Sequence, residues 1–337
     1  MCGIAGSVCW DSIGTREHDN ITKVTNALHH RGPDFKSVRN FGKAHLGHSR
    51  LSIIDLHETA NQPMEDISMR YVISFNGEIY NFNEIKKKLK LKGVSFRTKS
   101  DTEVILESFK YWKEKCLDLF EGMFAFAIWD RVNESLFLAR DRLGEKPLFI
   151  APYDNKDNFN SGVIFASELK ALLAHPQVKV DLNHNAIWQY LSLNYVLSNS
   201  CMINDVIKLE PASYAFFSKN CLIIKKYWEL KDFFLQKKKI TSEEVAIEEF
   251  NYLLDSTIKK QINSDVPIGS FLSGGVDSSV ISAAIKRVNK NKNFKTFCVG
   301  FREDDYNEIP QSKKVSNFLN FENFSKTINF EIKNNLL

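Results

Sequence analysis

Residues 71–82 read Tyr71-Val72-Ile73-Ser74-Phe75-Asn76-Gly77-Glu78-Ile79-Tyr80-Asn81-Phe82, and their pattern sets the class of the first fold. YVIS has the β-branched and aromatic character of a half-buried strand, and a second apolar run, IYNF, follows the NGE triplet. Asn-Gly accepts positive φ, so the pair reads as a two-residue hairpin turn. Outward from this point similar runs recur, FAFAIW (124–129), SLFLA (135–139), GVIFA (162–166) and SYAFFS (213–218), broken by Gly, Asn and Asp. Between them, apolar residues spaced by three and four predict helices over 21–29, 82–91 and 101–112. Layered strands with interspersed helices make an α+β domain.

The pattern changes after Trp228. Residues 230–241 are charged and aperiodic, carry the run KKKI (237–240), and read as a linker. Beyond it the order is helix 242–262, strand 267–272, helix 278–288, strand 296–301 and helix 310–319, an alternation that predicts a parallel, helix-covered α/β sheet. Two clear strands make a thin sheet, so this second domain reads as partial. A length of 337 residues suits two domains. Their boundaries are set at 2–229 and 242–337, with 230–241 between them.

Composition narrows the function classes. A hydrophobic fraction of 43% and a charged fraction of 26% are those of a globular chain rather than a disordered or fibrous one. The net charge of +4 is small, and the lysines are not interleaved with aromatics, so a nucleic-acid partner is not expected. Six cysteines lie far apart without a C-x-x-C pair, which argues against a zinc site and a disulfide scaffold and fits a reducing, cytoplasmic setting. The start, MCGIAGSVCW, lacks a basic signal-peptide region, and no apolar run approaches the ~18 residues of a membrane span, so neither export nor membrane insertion is expected.

Two constellations carry chemistry. Methionine is usually removed before a small residue, which would make Cys2 the first residue, with an α-amine beside its thiol. Such an amine, with an ordinary pKa of about 8, can take the thiol's proton, so nucleophile and base share one residue. The Asn76 amide and the Gly77 N–H can form an oxyanion hole. Arg50, in HSRLSIID, can clamp a carboxylate. Asp101, in SDTE, reads by itself as a helix N-cap. The second constellation, Ser273-Gly274-Gly275-Val276-Asp277-Ser278-Ser279, joins an apolar strand to a helix, where backbone N–H groups and the helix N-terminus favour a phosphate. It lacks the lysine and spacing of a Walker A loop.

Taken in order, MCGIAG, RGPD (31–34), GHSRLSIID, FNGEIYNF, SDTEVIL, EGMFAFAIWD, LARDRLGEKPL and FASELKALL resemble the glutaminase domain of class II glutamine amidotransferases, specifically that of the asparagine synthetase family. The resemblance implies an N-terminal nucleophile hydrolase sandwich of αββα layers. It implies Cys2 as nucleophile, Asn76 and the Gly77 backbone as oxyanion hole, Arg50 with Leu51, Ser52, Ile53 and Ile54 around the glutamine, and Glu78 and Asp101 on its α-ammonium. RGPD, LARDRLGEKPL and FASELKALL are read as scaffold, the second carrying Leu143 and Glu145 where the family often has an aromatic and a β-branched residue. SGGVDSS resembles the PP-loop of ATP pyrophosphatases. That implies ATP contacts at Leu272, Ser273, Gly274, Gly275, Asp277, Ser278 and Val299, with Mg²⁺ on the phosphates and no metal ligand assigned.

The reaction implied is adenylation of the aspartate β-carboxylate by ATP and its capture by ammonia released from glutamine. Because the family's synthetase domain continues past this length with a second glycine-rich acidic motif, the expectation is that glutaminase chemistry survives here while amide formation is lost or weakened. Two other readings stand beside it: transfer of the ammonia to another carboxylate, such as a sugar acid, and an idle remnant that only binds glutamine. Homo-oligomerisation is left open.

Overall fold

A computed structural model of the chain describes residues 1–11, 16–155, 160–197, 200–219, 221–235, 242–289 and 294–328. The chain divides into two compact units, Met1–Gln236 and Lys237–Leu337.

The first unit contains, in order, β1 (Gly3–Cys9), α1 (Glu17–Asn26), β2 (Phe35–Asn40), β3 (Ala44–Arg50), β4 (Met64–Glu65), β5 (Tyr71–Ile79), α2 (Phe82–Lys90), α3 (Asp101–Trp112), β6 (Gly122–Asp130), β7 (Ser135–Arg140), β8 (Phe149–Asn155), β9 (Asn160–Ala166), α4 (Leu169–Leu172), α5 (His184–Leu193), β10 (Ile207–Lys208), β11 (Ser213–Ser218), β12 (Cys221–Lys226) and α6 (Leu230–Leu235). Its strands form two six-stranded antiparallel sheets, ordered β10-β8-β9-β1-β3-β2 and β12-β11-β7-β6-β5-β4.

Side-chain alternation explains the layering. Even-numbered Ile4, Val8 and Leu46 of the first sheet meet Val72, Leu136 and Leu138 of the second in one buried cluster. Odd-numbered Ile73 and Phe75 turn outward onto Ile85, Leu89, Ile105 and Phe109 of α2 and α3. Ala5, Ile164 and Ala166 turn the other way, onto Ile21 and Val24 of α1 and Leu172 of α4. The result is the αββα sandwich. Gly47 shows how closely α1 sits, since a Cβ there would lie 2.1 Å from Thr25 Oγ1.

Several expectations need correction. Asn76-Gly77 is not a hairpin turn: β5 runs unbroken through it, paired to β6 from Tyr71↔Asp130 to Ile79↔Gly122. Packing of both strand halves against the same neighbour overrides the local turn preference. The first helix begins at Glu17 rather than Ile21. The segment read as linker contains α6 over its first six residues, Leu230–Leu235, and its remainder, 236–241, lies outside the described residues.

The second unit contains α7 (Glu243–Gln261), β13 (Gly269–Phe271), α8 (Val276–Val288), β14 (Lys295–Phe301), α9 (Ile309–Leu319) and β15 (Glu322–Ile328). The strands pair in parallel as β13-β14-β15. Strand β15 is an addition to the two strands read from sequence; its solvent-facing Glu322, Ser325 and Lys326 hide the alternation. The sheet packs through Phe294 and Phe321 on Ile258, Ala284, Ile285 and Leu319 of the helices. Among the described residues no helix is long and apolar enough to cross a membrane.

Candidate active site

The antiparallel pairing of β1 and β3, Gly3↔Ser49, brings Cys2 level with Arg50 at one end of the first sheet. Cys2, Arg50 and Asn76 all have the parity of the residues that point between the sheets. They line one cavity, together with Leu51, Ile53, Ile54, Gly77, Glu78 and Asp101. Of the residues named around glutamine, Ser52 alone is not in that lining; its N–H donates to Asp34 Oδ2 at 2.7 Å.

The Cys2 thiol is held against the chain that follows β3. The Leu51 N–H donates to Sγ at 3.3 Å, and Sγ lies 3.6 Å from the Leu51 carbonyl oxygen. Burial pushes the thiol above its ordinary range, opposed by the Leu51 N–H and the positive charge of Arg50. Met1 still precedes Cys2 and lines the same cavity.

Strand β5 supplies the opposite wall. Asn76 is fully buried, and its Nδ2 and Oδ1 have no hydrogen-bond partner among the described residues. A buried primary amide left this way costs about 1–3 kcal/mol, which marks the position as more than packing. The N–H groups of Phe75, Gly77 and Ile79 point to the same strand edge. Gln62 Oε1 accepts the first at 2.6 Å and Asp101 Oδ2 the third at 3.1 Å. Gly77 N–H lies between them and does not turn to β6, because its cross-strand neighbour Phe124 commits its own N–H and carbonyl to Asp141. An inward amide and an edge-facing N–H, one residue apart, can stabilise an oxygen that gains negative charge. Gly77 has φ +153°, and a Cβ would lie 2.0 Å from the Met123 carbonyl oxygen.

Charged groups complete the cavity. Arg50 is buried, and its terminal nitrogens are engaged with the carbonyls of Ile54, Asp55 and His57 and with Asn61 Oδ1 at 2.7 Å. A fork-to-fork grip on a carboxylate therefore requires this loop to yield its bonds, whereas charge attraction does not. Asp101 is not the cap of α3; Ser100 is, accepting from the Thr102 N–H. Asp101 instead starts the helix, 4% exposed. Burial lifts its carboxyl to about 7, and Glu78 adds to the rise while the Ile79 N–H opposes it. Burial likewise pushes Glu78 up, opposed by Lys146 and the N-terminal amine.

The Asp101 shift has a consequence for stability. The folded chain keeps this proton between pH 4 and 7, where the unfolded chain has lost it, so the buried carboxyl makes stability fall as pH rises through that window. Asp101→Asn is expected to gain on the order of 4 kcal/mol at pH 8 and less than about 1 kcal/mol at pH 4. Urea unfolding followed by tryptophan fluorescence measures it, since all five tryptophans lie in the first unit; an equal change at both pH values would rule out ionisation as the cause.

Three further residues escaped the sequence reading. Arg31, assigned to scaffold, donates through Nε to the Cys2 carbonyl oxygen at 2.8 Å and is anchored on Glu168 at 2.7 Å. Gln62 bridges the Phe75 N–H and Thr102 Oγ1, tying β5 to α3 on either side of the site. Lys146 lines the cavity at 4% exposure. RGPD and LARDRLGEKPL were legible as motifs, but nothing local shows where their cations point; Gln62 carries no sequence signal.

In the second unit the loop 273–278 is organised by its own hydroxyls. Ser273 Oγ accepts the Gly275 N–H at 3.2 Å, and Ser278 Oγ lies 2.9 Å from it. Gly274 has φ +89°, and a Cβ would lie 2.6 Å from Gln311 of α9. The cap of α8 is Gly275, without a side-chain bond, and not Asp277, which is exposed in the first turn. The helix N-terminus is thereby left to an anion. Leu272, buried, directly follows β13, and Val299, exposed, lies in the carboxyl-terminal half of the neighbouring parallel strand β14, toward the end at which such sheets bind ligands. The loop thus fits phosphate groups. Among the described residues no cluster of three or more His, Cys, Asp or Glu is placed to hold a metal ion.

A sandwich of this layering, with a cysteine at the mouth of its central strand and an unpartnered amide facing it, is that of the class II glutamine amidotransferases. The glutamine amidotransferase domain family matches residues 1–228, and the asparagine synthase family matches residues 249–332. Asparagine synthetase [glutamine-hydrolyzing] 1 of Bacillus subtilis is 35% identical over 98% of this chain and 51% of its own length. Asparagine synthetase [glutamine-hydrolyzing] 3 of the same organism is 38% identical over 84% of this chain and 45% of its own. The fold is similar to that of glutamine phosphoribosylpyrophosphate amidotransferase from B. subtilis, with a TM-score of 0.50 at 14% identity over 96% of this chain and 81% of that one. The chain belongs to the asparagine synthetase family, with a class II glutamine amidotransferase domain followed by part of an asparagine synthase domain. It spans about half the length of the curated relatives it matches.

Proposed function

We propose that the first unit hydrolyses glutamine to glutamate and ammonia at Cys2, and that the second binds ATP at Ser273–Ser278 for the adenylation of a carboxylate, aspartate being the one the relatives' names favour. The observation that carries the first half is the convergence of the Cys2 thiol and the unpartnered Asn76 amide on one cavity. Removal of Met1 turns the Cys2 nitrogen from an amide into an amine. That amine takes the thiol proton, and the thiolate attacks the carboxamide carbon of glutamine. The carbonyl oxygen, now negative, is stabilised by Asn76 Nδ2 and the Gly77 N–H. The C–N bond then breaks, ammonia leaves with the proton held by the α-amine, and water hydrolyses the thioester to glutamate. Glu78 and Asp101 attract the α-ammonium of the substrate, and Arg50 its carboxylate.

ATP, when bound, supplies the leaving group that activates the acceptor carboxylate; the residues of this chain that would hold its phosphates are Gly274 and the first-turn N–H groups of Val276, Asp277 and Ser278, with Leu272 and Val299 toward the adenosine. Magnesium would act on the phosphates. The test is release of glutamate from glutamine by the purified protein, with its first residue identified by mass. Turnover is expected only from the fraction that begins at Cys2; no turnover from fully processed protein would overturn the reading. Adding aspartate and ATP and assaying for asparagine tests the second half separately.

A further inference from the structure

Lys146 belongs to a segment read as scaffold, yet its ammonium lies in the cysteine cavity. It sits between β7 and β8 with its main chain pinned, the N–H donating to Asp141 Oδ2 at 3.0 Å and the carbonyl accepting from Arg140 Nε at 2.7 Å. The side chain is 4% exposed and shares the cavity wall with Cys2, Asn76 and Glu78. An ammonium has three N–H groups to place, and the bond found for this one is to the Met1 thioether sulfur at 3.1 Å, a weak acceptor. A buried cation so poorly matched is costly, and removal of Met1 takes away even that partner. Groups kept at such cost cluster where chemistry needs them.

Building on the glutaminase reading of Cys2, we propose that Lys146 is a positioning residue that acts through Cys2: once Met1 is removed, its ammonium shares the cavity with the new α-amine and keeps that amine in its neutral, proton-accepting form. The charged groups around the amine are Arg31 from the 3₁₀ turn His29–Arg31, Arg50 ending β3, Glu78 on β5, Asp101 opening α3, Lys146, and the thiol itself. The cations disfavour a protonated amine, and the carboxylates and the thiolate favour it. Arg31 is neutralised by Glu168 and Arg50 is wrapped in carbonyls, whereas Lys146 bonds no oxygen among the described residues. Burial, Arg31 and Lys146 already hold the Met1 amine below its ordinary value.

Cyanate adds only to neutral amines, so the pH midpoint of its reaction with the α-amine, read from the mass of the N-terminal peptide, reports the amine directly. The protein used is the Met1-free chain in a Cys2→Ser background, which removes the competing thiol. Lys146→Met is expected to raise the midpoint by about one pH unit, and Lys146→Arg to leave it in place. In the Cys2 enzyme the acid limb of kcat/KM for glutamine moves up by the same amount. A folded Lys146→Met whose midpoint stays put overturns the proposal, whatever its activity; if that variant does not fold, Lys146→Gln takes its place. A midpoint that shifts in the Cys2→Ser background while the fully processed Cys2 enzyme shows no glutamine turnover leaves the electrostatic role standing and overturns the glutaminase reading instead.

Discussion

Cys2→Ala is expected to lower glutamine hydrolysis by roughly 10⁵- to 10⁶-fold, the scale at which removal of a nucleophile leaves only binding and oxyanion stabilisation. The variant keeps an α-amine after Met1 is removed, so the loss isolates the thiol. Cys2→Ser is also expected to lose most of the activity, because a hydroxyl gives up its proton to the α-amine far less readily than a thiol and is the weaker nucleophile. A chain that retains Met1 should be as silent as Cys2→Ala for a different reason. Its Cys2 nitrogen is an amide, which accepts no proton, its thiol is pushed up by burial, and its first side chain lies in the cavity. Glutamate release measured on the four proteins, with intact mass to establish their first residue, checks all of this. Turnover that survived Cys2→Ala would place the chemistry elsewhere.

Much of this arrangement was legible because it rests on short-range signals. Alternation in FAFAIW and SLFLA predicts strands that the structure contains, and the switch to helix, strand, glycine-rich turn and helix beyond residue 242 predicts a parallel sheet. Legibility failed where two preferences compete locally and a distant partner decides. Asn76-Gly77 has the chemistry of a turn, but pairing with β6 over the whole of β5 holds it straight, and the glycine is needed for the close approach of Met123 rather than for reversal of the chain. Asp101 has the chemistry of a cap, but Ser100 takes that task and frees the carboxyl to face the Ile79 N–H. Arg31 reaches Cys2 across 29 positions, and Lys146 reaches Met1 across 145. No window of sequence contains such pairs. The motif resemblance supplied the catalytic names, whereas the physical reasons came from the fold: parity aims Cys2, Arg50 and Asn76 between the sheets, and the edge of β5 beyond its pairing with β4 faces the cavity.

Asn76 and Gly77 should fail in distinguishable ways. Asn76→Ala is expected to reduce kcat by about 10²- to 10³-fold, or ~3–4 kcal/mol of transition-state stabilisation, with little change in KM, because the amide serves an oxygen that is negative only after attack. Asn76→Asp should be worse, since a carboxylate there repels the charge it would have to stabilise. Neither change should weaken the fold through lost hydrogen bonds, because Asn76 Nδ2 and Oδ1 make none in the ligand-free protein; Asn76→Ala should even gain up to about 1 kcal/mol in urea, offset by the small void it leaves. Gly77→Ala acts on the scaffold. Its Cβ would stand 2.0 Å from the Met123 carbonyl oxygen and 2.7 Å from the Phe124 Cα, so β5 and β6 must part, at a cost of about 1–3 kcal/mol in stability along with the activity. Steady-state kinetics and urea unfolding on the same preparations separate the two. A buried amide whose removal costs activity but not stability is held there for the reaction, and a kcat within threefold of wild type in Asn76→Ala would remove it from the oxyanion hole.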